Sequence, residues 1–179
     1  MQDLNELRQR LRQQRPVAWE QLPDFALYMD QVLSYMDRQT LRFDEGGALT
    51  AAMVNNYTKS GLLPRADGKK YNREHLAYLT AICVLKQVLS ARDIDLLFQE
   101  ELRGERQVQD GYASFCASLD SALNLTASEM DSRDESASLA DSAIHFALLS
   151  YAAGLAAQRY VAALREQHGE TPKKGKERA

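Results

Sequence analysis

The chain has 179 residues, is 45% apolar and 26% charged, and carries a formal charge of −3. That balance is the one expected of an ordinary soluble globular protein, long enough for a sizeable core in one domain or two small ones. Such a net charge gives no support by itself to nucleic-acid binding. Cys83 and Cys116 belong to no CxxC, lie in helical patterns, and read as reduced core thiols rather than a disulfide or a metal site.

In chain order, residues 3–14 form a short helix with Leu4, Leu7 and Leu11 on one face and arginines on the other. Pro16 and Pro23 bracket a connector that carries the sole tryptophan, Trp19. Asp24 then caps a helix with the apolar stripe Phe25, Tyr28, Met29, Val32 and Met36. FDEGG at 43–47 is a loop. Leu49 or Thr50 opens the next helix, Thr50 being the better cap, and Gly61 ends it as a left-handed stop. On a wheel, Ala52, Asn55, Asn56 and Lys59 share one face of that helix, and Leu49, Met53 and Tyr57 the other.

After Pro64, Asp67-Gly68 marks a small hairpin or bare loop in the basic stretch RADGKKY. Asn72 caps a helix to about Leu89. Ser90 with Asp93 makes a capping box for a short helix, with Ile94, Leu97 and Phe98 inward and Gly104 as its stop. Val108, Tyr112, Phe115, Leu119 and Leu123 keep helical spacing, whereas the acidic, Ser-rich 126–138 reads as a loop or frayed helix start. A long alanine-rich helix with Ile144, Leu148, Tyr151 and Leu155 spans 139–167, and the polar end reads as a disordered tail. The reading is an all-α protein with at most a minimal hairpin: 1–22 a short helix and connector, 23–104 a central module, 105–168 a C-terminal helical region, and 169–179 the tail.

Charge is unevenly spread. Residues 51–90 hold six cations against two anions, whereas 91–145 hold four against twelve. A basic segment within an acidic chain suggests a localised anion-binding face. Asn can bond adenine bidentately in the major groove, and Lys pairs with phosphate or guanine. Arg65, Lys69, Lys70 and Arg73 would add phosphate contacts, with Tyr71 anchoring the base of the turn or laying its hydroxyl on a phosphate. No apolar run approaches bilayer length and the arginine-broken N-terminus lacks a signal core, so a cytoplasmic location with no membrane contact is expected. The three histidines make no metal-ligand spacing: His75 near a helix start, His145 in an apolar stripe and His168 in the tail. Glu100-Glu101 and Asp131/Asp134/Glu135 read as solvated faces. No nucleophile constellation or phosphate-cradling loop appears, so no enzyme, cofactor or metal is expected.

MVNNYTKSGLLP…KKYNREHLAYLTAICVLKQVLSARDIDLLF resembles the DNA-binding module of MerR-type transcriptional regulators over roughly residues 22–103. Tyr57, Lys59, Gly61, Leu62, Leu63, Pro64, Tyr71, Leu76, Leu79, Ile82, Ser90, Ile94 and Leu97 fall on its pattern. With LYMDQV at 27–32, the chain is also similar to a bacterial family of uncharacterised, MerR-like proteins. The resemblance implies a winged helix-turn-helix, double-stranded DNA as partner, and a homodimer through the C-terminal helices. The implied DNA-contacting set is Thr50, Ala52, Asn55, Asn56, Lys59, Arg65, Lys69, Lys70, Tyr71 and Arg73. MerR proteins usually carry arginine where this chain has Ala52 and Asn55, an aromatic where it has Asn56, and a longer wing. Those departures, with the acidic second half, support an alternative: a protein-interaction or scaffolding module that keeps the fold without binding DNA.

Overall fold

A computed structural model of the chain describes residues 2–39, 48–134 and 137–168. The loop expected at 43–47 and the tail at 169–179 lie outside the described residues. The described chain is all-helical: α1 (Gln2–Gln13), a 3-10 turn (Trp19–Gln21), α2 (Met29–Met36), α3 (Ala51–Lys59), α4 (Arg73–Leu85), α5 (Ala91–Glu101), α6 (Val108–Asp134) and α7 (Leu139–Gln167). Extended pairing among the described residues is confined to two isolated antiparallel bridges, Leu27–Tyr71 and Asp67–Lys70.

The main core gathers the apolar faces of α2 to α5. Val32 and Met36 from α2, Val54 and Tyr57 from α3, Leu76, Leu79 and Ile82 from α4, and Ile94 from α5 are buried, joined by Tyr112 and Val161 from the long helices. A smaller cluster holds α1 to α6 through Leu11, Ala127 and Met130, with Phe146 of α7 packed against it. Around this cluster Arg8 and Arg12 pair with Asp131, and Arg15 with Asp120. Asp131 is therefore an inter-helix partner and not the plain solvated acid expected.

Most of the expected caps form. Thr50 Oγ1 accepts from the Met53 amide at 3.2 Å, Asn72 Oδ1 from His75 at 3.2 Å, and Ser90 Oγ from Asp93 at 3.2 Å. Gly61 has φ +83°, the left-handed conformation that spares a Cβ clash only for glycine.

Several boundaries differ from the sequence reading, each for a packing reason. α2 begins at Met29, not after Asp24, because Leu27 is extended and exchanges two backbone hydrogen bonds of 2.8 Å with Tyr71. Phe25 and Tyr28 consequently lie outside the helix and are exposed. α4 ends at Leu85; Gln87, Val88 and Leu89 close turns, and Ser90 must be extended to cap α5. α6 continues to Asp134 through the stretch read as loop. Burial of Ala127 and Met130 and the Asp131 ion pairs outweigh the weak propensity of its Ser and Asp residues.

α7 departs most from expectation. Its C-terminal third is clasped to α5: Val161 is buried, Arg165 pairs with Asp93, and His168, expected in the tail, pairs with Glu100. Hydrogen bonds from Arg103 and His168 hold the Glu100 carboxyl below the usual carboxylate range. The rest of α7 leaves Ile144, Leu148, Tyr151 and Leu155 exposed. Against the expectation that no run approaches bilayer length, this helix is long and apolar enough to cross a membrane by length and composition alone, with a mean hydropathy of 1.3 over an 18-residue window.

Candidate nucleic-acid interface

α3 divides cleanly into an inside and an outside. Val54 and Tyr57 are buried while Ala52, Asn55, Asn56 and Lys59 are exposed. Burial raises the Tyr57 hydroxyl pKa, as expected of a core phenol. Thr50, exposed at the N-terminus, acts through its cap, which fixes where the helix starts. Asn55, Asn56, Thr58 and Lys59 line one shallow groove with Arg65. The fold thus brings the α3 amides together with a cation from the following turn.

Arg65 is positioned by His75, which sequence reasoning placed only near a helix start. His75 is 6% exposed. Its Nε2 lies 3.2 Å from the Arg65 carbonyl oxygen. On its other side Nδ1 lies 3.2 Å from the Asn72 amide nitrogen and 2.6 Å from Asn72 Oδ1. The ring also meets Tyr71 edge-on at 5.4 Å. One imidazole therefore ties the start of α4 to the segment carrying Arg65. Asn-x-x-His at a helix start was the legible signal, as a variant of the capping box.

The hairpin forms, with its turn one residue later than the Asp-Gly pair suggests. Asp67 and Lys70 pair through hydrogen bonds of 3.1 and 2.8 Å, so the two central residues are Gly68 and Lys69. Both have positive φ, +52° and +68°, as in the mirror-image type I′ turn that suits a twisted hairpin. Lys69 is exposed, and it is the single non-glycine described residue in the left-handed region. Lys70 is exposed and its ammonium sits 5.3 Å from the centroid of Tyr28, which is exposed although its sequence position falls on an apolar stripe. Tyr71 is buried, paired with Leu27 and packed on His75, so it anchors the hairpin.

Arg73 stands apart from this group. It is half-buried and its guanidinium lies 5.8 Å from the Trp19 ring, which in turn contacts Tyr112. That placement braces the N-terminal connector. Lys59, Arg65, Lys69 and Lys70 are all exposed and make no ion pair with any described residue. Lys59 and Arg65 border the amide-bearing helix face, and with Lys69 and Lys70 on the hairpin they leave four unneutralised cations suited to a polyanion with hydrogen-bonding edges. Among the described residues no group of His, Cys, Asp or Glu could hold a metal ion.

The observations define an all-helical protein with a polar helix face and a short basic hairpin. The chain belongs to the family described as a domain of unknown function, DUF1836, which matches residues 17–115, from the connector through the second turn of α6. No curated protein and no solved structure matches the chain.

Proposed function

We propose that the module is a DNA-binding winged helix-turn-helix of MerR-like type, in a cytoplasmic transcriptional regulator. α2 and α3 form the helix-turn-helix and the 67–70 hairpin is the wing. α3 enters the major groove with Asn55 and Asn56 at base edges, while Lys59, Arg65, Lys69 and Lys70 neutralise phosphates. The observation that carries this reading is the grouping of Asn55, Asn56, Lys59 and Arg65 on one open groove. A polarisation titration on genomic DNA fragments at two salt concentrations tests it. Asn56→Ala should weaken the preferred site more than random DNA, and Lys69→Ala with Lys70→Ala should weaken all DNA and flatten the salt dependence. Equal losses for both variants on all sequences would sink this division of roles.

The partner proposed for α7 is a second copy of the chain. Ile144, Leu148, Tyr151 and Leu155 are exposed and fall within about 60° of arc at the helical rotation of about 100° per residue. In an antiparallel pair centred between Leu149 and Ser150, Ile144 meets Leu155 and Leu148 meets Tyr151. The exposed Asp141 then falls opposite Gln158, one residue from the exposed Arg159. The face is thus complementary to itself, as a two-fold interface requires. The exposed stripe also supports the second reading, a protein-interaction module without DNA binding; a dimer that shifts no DNA at low salt selects it.

A further inference from the structure

Between α4, α5 and the start of α6 lies a cavity of about 340 Å³, within the size range of sites for small organic ligands. Its walls are aromatic. Tyr78 and Phe98 meet edge-on at 5.2 Å, and Tyr112 and Phe115 lie near-parallel at 6.5 Å. Its small members are Ala77, Ala81, Gly111, Ser114 and Ser118.

Gly111 is informative, because glycine weakens a helix and nothing local requires it. Its φ is not left-handed, and a Cβ there would meet only Leu102 Cδ2 at 3.5 Å, an ordinary contact. Glycine at this position preserves open volume. The mouth is electrically quiet. Arg106 pairs with Glu101 and hydrogen-bonds Ser114. The Tyr112 hydroxyl donates to the Val17 carbonyl at 2.8 Å. A ligand charge would therefore meet no unpaired opposite charge and would lose its hydration.

We infer that this cavity binds a neutral aromatic small molecule, held between the rings of α4, α5 and α6. It shares no residue with the α3 face or the hairpin, so the site stands whether or not DNA is bound.

The test titrates the full chain with neutral N-phenyl-1-naphthylamine and with the anionic 1-anilinonaphthalene-8-sulfonate. Saturable binding of one neutral probe per chain is expected, with the anionic probe weaker by at least ~10-fold. Trp19, whose ring lies 6.2 Å from Tyr112, should transfer its excitation to the bound probe and so locate it. Ala81→Leu and Gly111→Leu each fill the cavity from a different helix and should cost at least ~10-fold in affinity with an undiminished helical circular dichroism signal. If one filled variant fails to fold, the other, built from a different helix, supplies the comparison. Leu148→Glu should leave the probe bound. No saturable binding, binding that survives the filled variants, or a signal lost in Leu148→Glu would each overturn the assignment.

Discussion

Replacing Lys69 with glycine should make the protein more stable and a poorer DNA binder at the same time. Lys69 holds φ +68° at the second central position of the hairpin. A side chain in that region costs about 1–2 kcal/mol, and glycine, which escapes it, returns about 0.5–1 kcal/mol through its freer unfolded chain. The net expectation is a gain of about 0.5–1 kcal/mol, or roughly 1–4 °C in melting temperature for a chain of this size. Lys69 makes no ion pair with a described residue, so its removal loses nothing measurable in the native fold. If its ammonium rests on a phosphate in the complex, the slope of log affinity against log salt should fall by about 0.9. Lys69→Asn relieves the same strain, since Asn tolerates the left-handed region, and carries no charge, so it should shift melting in the same direction and reduce the slope as Lys69→Gly does. Thermal melts and polarisation titrations over a salt series supply both numbers. A Lys69→Gly protein that melts lower, or keeps the full salt slope, would refute the reasoning.

Three further outcomes are expected. His75→Phe keeps a ring against Tyr71 but strands the Arg65 carbonyl and the Asn72 amide, so urea unfolding should show a loss of about 1–3 kcal/mol; a loss below the resolution of the method would argue against the clamp. Burial raises the phenol pKa of Tyr35, Tyr57, Tyr71, Tyr78 and Tyr112 above the ordinary 10.0. Folding thus favours the neutral phenols, a contribution complete below pH 10 and lost as pH rises through the folded values, so the urea midpoint should decline from pH 10 upward rather than stay level. Leu148→Glu puts a charge at the centre of the exposed stripe and should convert a sedimenting dimer to monomer without lowering the melting of the monomeric fold; an unchanged sedimentation coefficient would remove α7 as the dimer seam.

Much of the matched domain is legible from local chemistry. Thr50, Asn72 and Ser90–Asp93 announce helix starts, and Gly61 announces a stop, because each satisfies orphan backbone groups within a few residues of itself. The outward amides of α3 follow from periodicity alone. What the sequence hides depends on distant partners. Leu27 is apolar and sits among helix formers, yet Tyr71, far along the chain, claims its backbone for a bridge. Residues 126–134 look like a loop until Leu11 of α1 supplies the cover for Ala127 and Met130. The turn register escapes because Asp67-Gly68 satisfies the usual pairing rule, whereas the fold places Lys69 where glycine is preferred. Periodicity identifies the α7 stripe, and only the three-dimensional arrangement shows that it faces outward.

Asp93 belongs to two structures at once. One carboxylate oxygen accepts from the amide and hydroxyl of Ser90, at 3.2 and 2.6 Å, and closes the first turn of α5. The other takes Arg165 of α7. α7 thus reaches the matched domain through the buried Val161 and the Arg165–Asp93 and His168–Glu100 pairs, and the first of these pairs shares its carboxylate with the cap that starts α5.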